Sequence, residues 1–152
     1  MKKYNFYRFL CLLIMLVDAV YAQRERALDG NIWNRMKTEN KMYYVTGFVN
    51  GLEKAENILD INTNIEKKHE FAFTEPYYVQ RSRKNIREYI PNKPNRINLI
   101  INLLDAFYTD ANNQKIPFSV ALRIVLARDA GDIKKSDFWL KEARREIVRK
   151  GR

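Results

Sequence analysis

Apolar residues recur at helical spacing in one stretch after another, and that period constrains the fold more than any other feature of the chain. Tyr44, Val45, Phe48, Leu52, Ala55 and Leu59 lie one, three or four residues apart, which builds one apolar face on a helix over about 39–59. Ile97, Ile100, Ile101, Leu103, Leu104, Phe107 and Tyr108 make the strongest such run and predict a helix over 97–110. Ile116-Pro117 opens a third over 117–129, with Val120, Ala121, Ile124, Val125 and Leu126 inward and Gly131 ending it. A further helix is predicted from Tyr77 to Ile90, started by Thr74-Glu75-Pro76 and stopped by Pro91. A last one follows a Ser136-Asp137 cap, with Phe138, Trp139, Leu140, Ala143 and Ile147 inward. No strand alternation and no internal repeat interrupts this pattern. The expected fold is a single all-α domain of four or five helices, with 39–59, 97–110 and 117–129 forming its core.

Between these runs the residue types change. Asp29-Gly30-Asn31 reads as a cap leading into a short helical turn at Ile32 and Trp33, and Thr38 as the N-cap of the next helix. Asp60 to His69 loses the apolar period, and Asn62-Thr63-Asn64 are turn formers, so a connection is expected there. Phe71-Ala72-Phe73 reads as a brief extended piece and Asn92-Lys93-Pro94-Asn95 as a loop. Gly47 and Gly51 sit inside the predicted 39–59 helix, where each costs about 1 kcal/mol relative to alanine. Their retention predicts close approach of another helix of the same domain.

The first 22 residues read as a secretory signal peptide. Lys2, Lys3 and Arg8 precede an uncharged run from Phe9 to Val17, closed by Asp18. That run is far shorter than the ~20 residues a helix needs to cross a bilayer. Val20-Tyr21-Ala22 supplies small residues at the positions a signal peptidase reads, so cleavage is expected before Gln23. Residues 23–152 would then form the whole domain, with no transmembrane anchor, in a bacterial periplasm or outside the cell. The sequence carries 28 Lys and Arg against 18 Asp and Glu. Cleavage removes Lys2, Lys3, Arg8 and Asp18 and leaves a net charge of +8. It also removes Cys11, the only cysteine. Export permits disulfides, yet this domain would depend on its core alone.

Catalytic and cofactor chemistry finds little to work with. One His and no Cys after residue 22 exclude a cysteine-rich zinc module and a His cluster. His69 lies in a charged stretch and reads as a solvated residue. No Gly-rich phosphate loop or EF-hand spacing is present, so no cofactor is implied. The remaining catalytic option is a small hydrolase built on Asp105, Tyr108 and Asp110, because Asp105 and Tyr108 share a helix face. Carboxylates near helix ends usually bond backbone N–H groups, and that reading is preferred. The expectation is a protein without enzymatic activity.

The basic segment at about 60–95 offers a different possibility. Arg81, Arg83, Lys84 and Arg87 stand among Tyr77, Tyr78 and Tyr89, with Glu88 as the only acid between Tyr77 and Tyr89. Arg83 and Arg87 are i and i+4, where like charges repel by a few tenths of a kcal/mol. An anionic partner would account for them, since each Arg can make charge-assisted bonds to phosphate or carboxylate. Export argues against nucleic acid and for an anionic envelope component or an acidic protein.

Two clusters of residues carry a resemblance. Gly30-Asn31-x-Trp33 with Lys41-x-x-Tyr44-Val45-x-Gly47-Phe48-x-x-Gly51 resembles the N-terminal half of a family of small exported bacterial proteins of unknown function. Asp105-x-Phe107-Tyr108-x-Asp110-x-x-Asn113-x-x-Ile116, followed by Ala121, Val125 and Gly131, is similar to its C-terminal half. The resemblance covers about 28–60 and 97–148, and implies an envelope location and a helical domain but no activity. Through the Tyr-x-x-Gly-x-x-x-Gly helix alone there is a distant likeness to the periplasmic immunity proteins of type VI secretion, which usually carry cysteine pairs. The sequence as a whole points to an exported helical binding protein of the bacterial envelope, the alternatives being the small hydrolase and a structural envelope component.

Overall fold

A computed structural model describes residues 28–69, 73–91 and 96–150. The expected signal peptide, Phe71 and Ala72 of the expected extended piece, and the expected loop at 92–95 therefore lie outside the described residues. The fold is all-α: α1 (Gly30–Trp33), α2 (Thr38–His69), α3 (Tyr77–Arg87), α4 (Ile97–Tyr108), a 3-10 turn (Ala111–Asn113), α5 (Phe118–Asp129) and α6 (Ile133–Lys150). Among the described residues the one piece of β pairing is an isolated bridge between Asp29 and Pro117. There the Phe118 N–H donates to the Leu28 carbonyl at 2.6 Å, fastening the entry to α1 onto the start of α5.

The core lies where the strong apolar periods predict. Val45 and Val49 of α2, Ile100, Ile101, Leu104 and Tyr108 of α4, and Phe118, Ala121, Leu122 and Val125 of α5 form one buried cluster with Trp33 and Ile116. Phe118 is its hub. The Trp33 ring stacks on it at 5.7 Å, and the rings of Tyr44 and Phe48 meet it edge-on at 4.8 and 5.2 Å. Geometries of this kind contribute about 1 kcal/mol each beyond area burial.

Helix ends differ from the sequence reading in several places: α3 stops at Arg87, three residues short of Ile90, and Thr38 is the first residue of α2 and not its cap. α2 does not stop near Leu59 but runs 32 residues to His69. Its last turns carry no apolar side toward the rest of the domain, because polar groups make those contacts: Thr63 donates to the Leu59 carbonyl at 2.8 Å, and Glu56 and Asp60 pair with arginines of α3. Ion pairing thus substitutes for apolar patterning, and the expected connection at 60–69 is corrected to helix. α6 begins at Ile133, three residues ahead of the predicted Ser136-Asp137 cap. The cap is Asp132, whose carboxylate accepts from the Lys135 N–H at 3.2 Å. Ser136 is instead fully buried inside the helix, donating to the Ile124 carbonyl of α5.

The α5–α6 connection has almost no length. Gly131 adopts φ +85°, the Gly131 N–H donates to the Arg128 carbonyl, and the Asp132 N–H donates to the Ala127 carbonyl at 2.9 Å. That is a Schellman ending, which needs a residue at ease with positive φ. Asp132 therefore closes α5 and caps α6 at once, and α6 folds straight back onto α5.

The glycines of α2 are also corrected. A side chain built at Gly47 or Gly51 would meet no atom within 4 Å, so neither glycine lets another helix of the domain approach. The close approach occurs at Gly30, where a Cβ would stand 2.3 Å from the Tyr108 ring and 2.8 Å from the Gln114 Cα.

Candidate functional site

Asp105 links three helices. Its Oδ1 accepts from Trp33 Nε1 of α1 and from Lys41 Nζ of α2, both at 2.7 Å. The Lys41 amine also stands 5.2 Å from the Trp33 ring centroid. Trp33 is fully buried, so its indole N–H needs an acceptor, and α4 presents Asp105 at the right height to serve. Three helical residues further on, the buried Tyr108 hydroxyl donates to the Ile116 carbonyl at 3.0 Å. Burial raises the pKa of that hydroxyl well above the usual tyrosine value.

Asp110 and Asn113 form a second knot. Asp110 Oδ1 accepts from the Asn112 N–H at 2.9 Å, capping the 3-10 turn, and its other oxygen pairs with Arg144 of α6. Asn113 is buried, donates to the Phe107 carbonyl at 2.8 Å, and accepts from Arg144. The Asn112 N–H first, and then the Arg144 charge, hold the Asp110 carboxyl below its ordinary range. Asp105 thus turns to Trp33 and Lys41, Tyr108 to Ile116, and Asp110 to Arg144. These residues of the sequence motif tie elements together, and the three are not gathered around one reacting position.

The basic segment divides into two faces. Arg83 turns inward: Nη1 is 2.6 Å from Glu75, Nε is 2.8 Å from Asp60 as an ion pair without hydrogen-bond alignment, and Nη2 donates to Thr63 at 3.3 Å. Arg87 pairs with Glu56 of α2, which raises its pKa. The expectation that Arg83 and Arg87 lack internal partners is therefore corrected. Between Tyr77 and Tyr89 the only acid is Glu88, and the acids that match Arg83 and Arg87 come instead from α2 and from Glu75, just before Pro76. Arg81 and Lys84 point the other way. Both are exposed, and among the described residues neither makes an ion pair. Tyr77 and Tyr78, 74% and 71% exposed, share that outer arc of α3.

A fourth cluster was not foreseen. Glu88, just past α3, pairs with Arg123 of α5 and with Lys135 of α6 at 2.8 Å. The Arg123 guanidinium lies 3.7 Å from the Trp139 ring centroid and Lys135 Nζ 4.6 Å from it. Burial pushes the Glu88 pKa up, but Lys135 and Arg123 together outweigh it and hold the carboxyl below its ordinary range. Beside the cluster lies a cavity of about 150 Å³, lined in part by Glu88, Pro91, Leu126, Asp129 and Trp139. The available signal was Arg123, a charge set between the core residues Leu122 and Ile124.

Among the described residues no three His, Cys, Asp or Glu side chains gather into a group able to hold a metal ion. None of the described helices is long and apolar enough to cross a membrane. No protein-family model matches the chain, and neither a curated protein nor a solved structure does.

Proposed function

We propose that this is a non-catalytic binding protein, exported to the bacterial envelope, whose outer α3 face engages an anionic partner. The observation that carries this reading is the sorting of charges on α3. Arg83 and Arg87 are matched by Glu75, Asp60 and Glu56, while Arg81 and Lys84 stand exposed beside Tyr77 and Tyr78. Two free cations next to two exposed phenol rings can give charge-assisted bonds and ring contacts to phosphate or carboxylate groups. The basic start, short apolar run and Val20-Tyr21-Ala22 site support the location. What favours binding over hydrolysis is that Asp105 and Asp110 are each held by their own cation and turned to different neighbours.

The test is capture from envelope extract at low and at high salt, with Arg81→Glu combined with Lys84→Glu as the comparison. The expected result is a partner retained at low salt, released at high salt and lost in the double variant. Binding unchanged by the double charge reversal would refute the reading.

A further inference from the structure

α2 has two apolar faces, and the fold uses only one. At about 100° per residue, Val45, Val49, Glu56 and Thr63 share the side that meets α4, α5 and α3. Tyr43, Gly47, Gly51, Ile58, Ile61 and Ile65 share an arc about 80° wide on the opposite side. Ile58, Ile61 and Ile65 are 48%, 51% and 47% exposed and Tyr43 is 70% exposed. Both glycines face open space. Three half-exposed isoleucines in helical register are more than scattered surface hydrophobics, and two glycines in an exposed helix interior weaken it for no gain within the domain.

We propose that this outer face of α2 docks against the same face of a second copy, antiparallel, in a two-fold symmetric dimer. The order of residue sizes along the stripe favours this occupant over others. Past Tyr43, two glycines stand in its first half and three isoleucines in its second, so this part of the stripe complements its own reverse. In the antiparallel register centred near Glu56, Gly47 faces Ile65 of the second copy and Gly51 faces Ile61, and each isoleucine enters the space a glycine leaves. A parallel pairing would set glycine against glycine and isoleucine against isoleucine.

Charge agrees with the same orientation. The first turn of α2 holds Glu39 and its last turn Lys67, Lys68 and His69. The antiparallel register brings Tyr43 opposite His69 of the second copy, with Lys68 and His69 about one helical turn from Glu39. It also aligns each helix's partial positive end with the other's negative end. Lys54 is the one charge within the arc between Tyr43 and Ile65. Its carbon stem can lie along Ile58 of the second copy with the amine in water.

The stripe from Tyr43 to Ile65 is about 33 Å long. One helix face of that length falls short of the roughly 800 Å² per partner of a standard interface. The dimer is therefore reversible and weak, and separates on dilution.

Sedimentation velocity of the exported protein from about 5 µM to about 500 µM, a range suited to a micromolar dissociation constant, tests the proposal. The expected result is a sedimentation coefficient that rises from monomer to dimer. Ile61→Glu with Ile65→Glu should weaken association at least about tenfold, a loss of about 1.4 kcal/mol, with an unchanged circular dichroism melt. Gly51→Leu provides a second route, since it favours the helix in the monomer yet fills the space Ile61 of the second copy needs. A wild-type chain that remains monomeric throughout would overturn the proposal. So would a dimer that neither variant weakens, because its contact would lie elsewhere.

Discussion

Trp33 and Asp105, 72 residues apart, meet through a 2.7 Å hydrogen bond from the indole N–H to a carboxylate oxygen that also holds Lys41. The bond joins α1 to α4 and satisfies the one polar atom of a fully buried tryptophan. Leaving such a donor unpaired costs about 1–3 kcal/mol. Asp105→Ala is expected to lower stability by about 2 kcal/mol in urea unfolding. Asp105→Asn keeps an acceptor for Trp33 and should lose less than half of that. Equal losses in the two variants would show that Lys41, and not Trp33, is the important partner.

The glycines separate into two kinds. Gly30→Ala places a methyl group against the Tyr108 ring and the Gln114 backbone, an overpacking worth about 2 kcal/mol or more. Gly47→Ala, with open space around it, should stabilise the dilute monomer by about 1 kcal/mol. Thermal melts of the two variants at low protein concentration should move in opposite directions.

Arg83 and its neighbours on α3 make a second contrast. Arg83 and Glu75 have side chains only 15% and 14% exposed, and removing one member of a buried pair costs about 3 kcal/mol or more. Arg83→Ala should therefore lower the melting temperature by several degrees. Arg81→Ala and Lys84→Ala, on the outer arc, should stay within about 0.5 kcal/mol of the parent. A stable Arg83→Ala variant would mean that α2 and α3 are held together by something else.

Stability should fall on the acid side. Glu88 and Asp110 both have depressed pKa values in the folded chain. Each therefore contributes stability that is fully present above the ordinary carboxylate pKa of about 4 and is lost as the pH drops through the folded value. Melting temperature measured from pH 7 to pH 2.5 should hold above about pH 5 and decline below it. Glu88→Gln should flatten part of that decline. A decline of full steepness in Glu88→Gln would show that Glu88 does not contribute to it.

How much of this was legible in the sequence depends on where each residue's partner lies. The apolar faces of α4 and α5 are written in their own spacing, and so was the all-α core around Val45, Ile101, Leu104 and Val125. Gly131 announced its helix end for the same local reason. The continuation of α2 through Asp60 and Thr63 was hidden, because those residues are held by Arg83, 20 or more positions away. The same distance hid the pairing of Arg87 with Glu56. A window that counts charges along one segment sees an excess where the folded chain has a match. Asp105 was singled out as a motif residue, but its role lies in the indole of Trp33, which no spacing rule connects to it.

The junction of α2 and α3 has a consequence for the order in which the molecule comes apart. α3 contributes no fully buried residue, and it is fastened to α2 largely through Arg83, Arg87 and their acids. α4 and α5, by contrast, share the Trp33–Phe118 interior. Regions with few buried apolar contacts open at lower free energy than the whole. Amide hydrogens of α3 should thus exchange with solvent by detachment of this one helix, well ahead of those of α4, and faster still as salt weakens its ion pairs. A ligand seated on Arg81 and Lys84 would slow that exchange, so the isotope label on a single eleven-residue helix would report its arrival.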